Sequence, residues 1–139
     1  MASALDHFVR AQENVYDEAL AELRAGRKRT HWMWFVFPQL AGLGRSTTAA
    51  RYAIESREHA RDYLAHPVLG PRLTEAAGAL LTVEGRTAEQ ILGFPDDLKL
   101  RSSMTLFAAV ADDPAVFRAV LERYYDGPDQ RTVDLLAAP

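Results

Sequence analysis

Gly26-Arg27-Lys28-Arg29-Thr30-His31-Trp32-Met33-Trp34-Phe35-Val36-Phe37-Pro38-Gln39 carries a cationic run straight into four aromatic residues within six positions, and both tryptophans of the chain lie in it. Gly26 suits the position just past a helix, where a left-handed backbone is favoured, and Pro38 stops a helix because it lacks an N–H. The interval from His31 to Phe37 therefore reads as a short helix buried on nearly every side, with Arg27, Lys28, Arg29 and His31 as donors at its mouth. Such a segment suits either a core anchor or the wall of a pocket for an anionic ligand.

Outward from this stretch the chain keeps helical spacing, and its punctuation is that of helix caps. Upstream, Leu5, Phe8, Val9 and Gln12 make one amphipathic turn. Asn14 then reads as an N-cap for Tyr16, Ala19, Leu20 and Leu23, with Arg24 in the last turn. Downstream, the loop Gly42 to Ser46 leads into a helix capped by Ser46 or Thr47, and Ser56 opens the next, which His66-Pro67 ends. Leu69, Leu73, Ala76, Ala77, Leu80 and Leu81 follow at three-to-four spacing, and Thr87-Ala88-Glu89-Gln90 is a capping-box pattern for a short helix closed by Gly93. Asp96 or Asp97 is the expected cap of a helix from Leu98 to Ala111, Asp112-Asp113-Pro114 starts another, and a last turn runs from Asp129 to Leu136. No alternating strand pattern, internal repeat or low-complexity linker is present. The expected fold is all-α, a compact irregular bundle of seven to nine short helices. Isolated helices shorter than ~12–15 residues are marginal in water, so tertiary packing must hold them.

Length and composition bound the function. The 139 residues, 48% of them hydrophobic, suit a single domain over residues 1–139. A net charge of −3, from sixteen Lys and Arg against nineteen Asp and Glu, lacks the basic excess of a nucleic-acid binder, so nucleic acid is not the expected partner. The absence of cysteine excludes disulfides, thiol nucleophiles and thiolate metal sites. His7, His31, His59 and His66 have no metal-ligand spacing, and no metal or cofactor is expected. No apolar run approaches a membrane span, and the N-terminus has no signal-peptide pattern, so the expectation is a cytoplasmic protein without a membrane partner.

Three constellations carry the candidate chemistry. In the basic and aromatic segment, Arg27 and Lys28 are expected phosphate donors, joined by Arg45 and Arg101 from elsewhere in the chain, with His31, Trp32, Trp34 and Phe35 as stacking wall and Gln39 as an amide for a base edge or a ribose hydroxyl. The structural alternative is that the cations neutralise the preceding helix end while the aromatics fill the core. The second is Asp96-Asp97-Leu98-Lys99-Leu100-Arg101-Ser102-Ser103-Met104-Thr105, where a hydroxyl-rich run is poor helix material. Either its hydroxyls bond back to carbonyls and permit close packing, or Lys99, Arg101, Ser102 and Ser103 line a polar cavity beside Asp96 and Asp97. The third, the glycine loop with Arg45 and Ser46, resembles a phosphate loop only weakly, since it follows no strand and lacks the Gly-Lys-Ser/Thr ending.

The strings Gly26 to Leu40, Tyr63 to Leu73 and Asp96 to Phe107 resemble, over nearly the whole chain, a bacterial family catalogued as domain of unknown function family 1810. That resemblance implies a small all-helical fold and no particular activity; some members carry the label calpastatin, which a compact, cap-rich chain does not suit. The helix containing Ser103-Met104-Thr105-Leu106-Phe107 also resembles the N-glycosidase-like proteins of NAD and ADP-ribose metabolism. What this implies is a small phosphorylated, nucleotide-like ligand, with Asp96 or Asp97 stabilising a ribosyl cation or activating water if the protein is an enzyme. The competing expectation is a non-enzymatic helical interaction module, able to self-associate, in which Arg27, Lys28, Lys99 and Arg101 pair with carboxylates and no cleft lies between them.

Overall fold

The computed structural model describes residues 5–44 and 46–138. Among them are ten α-helices: α1 (Asp6–Gln12), α2 (Tyr16–Ala25), α3 (Met33–Val36), α4 (Thr47–Arg51), α5 (Arg57–Ala65), α6 (Leu69–Leu80), α7 (Ala88–Leu92), α8 (Asp96–Val110), α9 (Ala115–Tyr124) and α10 (Gln130–Ala137). No strand occurs among the described residues; a single parallel bridge joins Leu40 to Ile54. The count exceeds the expected seven to nine by one, a minor difference within the same all-α fold. No described helix is long and apolar enough to cross a membrane.

Most boundaries follow from local chemistry. Ser46, Ser56 and Asp129 each accept a hydrogen bond from a backbone N–H of the first turn they cap, and Thr87 with Gln90 forms a reciprocal capping box. Gly26 ends α2 at φ 74°, where a side chain would be strained. Two expected caps differ. Val15 rather than Asn14 precedes α2, and Pro95 precedes α8, neither with a side-chain cap bond. Asp96 lies in the first turn of α8 and turns outward to ammonium groups instead.

The centre is α8, which packs against α5, α7, α9 and α10, while α6 packs against α2, α3, α5 and α9. Ser102, Ser103, Met104, Thr105, Leu106 and Phe107 are all buried, so α8 is enclosed on almost every side rather than along a single stripe. Its hydroxyls are accommodated by bonding back one turn: Ser102 Oγ donates to Leu98 O at 3.1 Å and Thr105 Oγ1 to Arg101 O at 2.8 Å. An aromatic file links four helices, with ring centroids 5.2 Å apart for Phe8 and Tyr63, 5.4 Å for Tyr63 and Phe107, and 6.0 Å for Phe107 and Phe117. Buried Gln12 ties α1 to the aromatic segment by donating to Phe35 O at 2.7 Å. Gly70 lets α6 approach the end of α5: a Cβ there would lie 2.0 Å from Leu64 O, so any side chain forces the helices apart.

Candidate functional site

Trp32 and Trp34 lie two residues apart and meet different environments. Trp32 is wholly buried and its indole N–H donates to Glu22 Oε1 at 3.0 Å. Glu22 is the centre of the whole turn after α2: the same oxygen accepts from the N–H groups of Arg29 at 2.7 Å and Thr30 at 3.0 Å, and Oε2 accepts from Thr30 Oγ1 at 2.7 Å. Burial alone would push this carboxyl up, but the surrounding donors outweigh it and bring it down to about 2. The expected role of Trp32 as a stacking surface is thereby corrected. Its ring and its N–H are both used by the core, because a buried indole N–H requires an acceptor and Glu22 supplies it.

Trp34 is only partly buried, and the ammonium of Lys99 lies 5.0 Å from its ring centroid. Lys28 takes the equivalent position over Trp32, 5.3 Å from its centroid. Asp96 joins the two lysines, with Oδ2 3.0 Å from Lys28 Nζ and Oδ1 3.5 Å from Lys99 Nζ. Lys28 is the more enclosed, with 9% of its side chain exposed against 24% for Lys99. Both lysines thus pair with a carboxylate, as an interaction module would require. Arg101 does not: its Nε donates to Gly127 O at 2.9 Å, and its guanidinium lies 5.6 Å from the Tyr125 ring. Arg101 also lines a cleft.

That cleft, of about 360 Å³, is lined by Gln39, Lys99, Arg101, Ser102, Asp129 and Arg131, with Leu43, Gly44, Pro95 and Leu98 completing the wall. Lys99, Arg101 and Arg131 make it cationic. Its one lining carboxylate among the described residues, Asp129, already accepts from Thr132 N at 2.9 Å and Thr132 Oγ1 at 2.6 Å as the cap of α10. A smaller chamber of about 160 Å³ shares Gln39 and Gly44 with it and is bounded by Trp34, Tyr52 and Glu55 over a floor of alanines.

Of the residues singled out in the sequence, the fold brings Trp34, Gln39, Lys99, Arg101 and Ser102 to these two cavities, with Lys28 and Asp96 standing behind Lys99. Arg27 and His31 are exposed and line neither. Ser103 is buried on α8 with its hydroxyl unpartnered, away from both linings. Asp97 also lines neither; its Oδ1 is buried without a partner, and its carbonyl accepts from Tyr125 Oη. Arg45 falls outside the described residues. Among the described residues no group of three or more His, Asp or Glu is placed to hold a metal. Sequence reasoning passed over Glu22, Tyr52, Glu55 and Arg131. Only Glu22 had a signal, a carboxylate three residues past Ala19 on the apolar stripe of α2.

The profile of the family described as "Protein of unknown function (DUF1810)" matches residues 2–136. The chain belongs to that family. Among solved structures it is similar to the conserved hypothetical protein Rv1873 from Mycobacterium tuberculosis, with 58% sequence identity, 97% of each chain covered and a TM-score of 0.95. A comparison with curated proteins finds no match. Family membership and this likeness establish the all-helical fold and leave the activity to be argued from the cleft.

Proposed function

We propose that this protein binds a small phosphorylated, nucleotide-like molecule in the cleft between the loop after α3 and the start of α8 and α10. The observation that carries this reading is the convergence of Lys99, Arg101 and Arg131 on one cavity whose only lining carboxylate among the described residues is engaged in a helix cap. Lys99 has Asp96 behind it, but Arg101 and Arg131 add further positive charge to the cavity, which an anion would offset. Trp34 and Gln39 at the same cavities add a π face and an amide, the complement of a base or sugar. The same reading takes residues 1–139 as one domain, in keeping with the continuous buried cluster from Leu5 to Leu121.

Binding is supported more directly than hydrolysis of an N-glycosidic bond. Each carboxylate oxygen of Asp96 faces an ammonium group, so its visible work is to hold Lys99 in place. The test is a thermal-shift series with NAD, ADP-ribose and mononucleotides. At a ligand concentration ~100-fold above Kd, binding adds about 2.7 kcal/mol to stability and raises Tm. An unchanged Tm at millimolar concentrations of every ligand counts against the proposal.

A further inference from the structure

The two cavities differ in kind, and their contrast specifies the ligand more closely; this inference rests on the nucleotide-like reading above. The larger holds Lys99, Arg101 and Arg131 and is an anion site. The smaller is lined by Trp34 and Tyr52 together with Ala49, Ala50 and Ala53, and among the described residues its one charged lining residue is Glu55. Gln39 and Gly44 line both, so the two cavities adjoin. Trp34 lines the small chamber, and Lys99, whose ammonium lies over its ring, lines the large one.

Hydrogen bonds brace the small chamber. Ile54 N–H donates to Gln39 O at 2.8 Å, and Ala41 N–H donates to Ile54 O at 2.8 Å, fixing the segment before Glu55 to the one bearing Gln39. Glu55 N–H in turn donates to His59 Nδ1 at 3.0 Å, which ties the Glu55 backbone to α5. A carboxylate has acceptors only, so the planar group it favours presents adjacent N–H donors. Guanine does so through its ring N–H and exocyclic amine, whereas adenine and cytosine place an acceptor beside their amine. We infer that the paired cavities take a guanine nucleotide, its base in the Trp34 and Tyr52 chamber against Glu55 and its phosphate among Lys99, Arg101 and Arg131.

The full chain titrated with ribose 5-phosphate, AMP and GMP, followed by calorimetry and tryptophan fluorescence, tests this. GMP is expected to bind about tenfold more tightly than either of the others, the scale of one stacked and hydrogen-bonded base. Glu55→Gln, an exposed and volume-conserving change, is expected to bring GMP down to the affinity of AMP. The fluorescence change is expected to vanish in Trp34→Phe, since Trp32 is enclosed in the core. Equal affinities for all three compounds, AMP binding more tightly than GMP, or an unaltered preference in Glu55→Gln would overturn the base assignment while leaving the anion cleft standing. Failure of all three compounds to bind would overturn the cleft reading as well.

Discussion

The turn around Glu22 and the cleft around Lys99 are built from similar materials and reach opposite states. At Glu22 a single buried carboxylate is surrounded by N–H and O–H donors of Arg29, Thr30 and Trp32, so the protein satisfies its own charge. At the cleft, Lys99, Arg101 and Arg131 converge on a cavity whose lining carboxylate is already a helix cap. A buried ion without partners is destabilising, which makes the first arrangement a requirement of folding. An accessible excess of cations is tolerated because water solvates it, and that leaves it open to a ligand. The basic and aromatic segment contributes to both: Trp32 belongs to the first region and Trp34 to the second.

The largest effect separates those two tryptophans. Trp32→Ala is expected to cost about 3–5 kcal/mol through the lost burial and the loss of one of the four donors to Glu22, leaving little folded protein. Trp34→Ala, at a partly exposed position, is expected to cost about 1–2 kcal/mol and to weaken ligand binding. Urea denaturation of both variants decides it, and similar losses of stability would erase the distinction between core and cleft.

Acid sharpens the same contrast at intermediate size. Glu22 in the fold titrates at about 2 against an ordinary 4.5, so the unfolded chain takes up its proton first as pH falls. The stabilisation from this group is therefore fully present above about pH 5 and is lost as pH drops toward 2, amounting to about 3 kcal/mol. Glu22→Gln is expected to lower stability at neutral pH and to flatten the acid limb between pH 5 and 2. An acid limb of unchanged steepness in that variant, followed by urea melts across the range, would remove Glu22 from this role.

The smallest stability effects belong to the cleft and carry the largest functional ones. Lys99→Met and Arg101→Met keep most of the side-chain volume and remove charge, so each is expected to change stability by less than about 1 kcal/mol while weakening anion binding about tenfold or more. Arg27→Ala, on the exposed side of the same segment, is expected to change neither by a measurable amount. Destabilised Lys99→Met and Arg101→Met variants that still bind ligand normally would turn the cleft into a structural ion-pair network.

Much of the fold could be read in advance because its signals act over a few residues. Ser46, Ser56, Thr87 and Asp129 sit three residues before the N–H groups they cap, and Gly26 follows the last turn of α2, so each boundary is written in adjacent positions. The hydroxyl run of α8 likewise announces its own solution, bonds from Ser102 and Thr105 to carbonyls one turn back. Asp96 shows the limit of such reading. Its place before an apolar helix suits a cap, but Lys28, far away in sequence, offers a charged partner that no local rule contains.

The sequence by itself determined that this chain is helical, where most helices start and stop, and that aromatic and basic residues meet near Trp34. Only the tertiary structure decided which tryptophan faces the core, which cations share a cavity and which carboxylate is consumed by the fold. Caps and periodicity depend on atoms within about one helical turn of each other. The cleft depends on Gln39, Lys99 and Arg131 being brought together from separate elements, and that proximity exists only once α8 and α10 have packed.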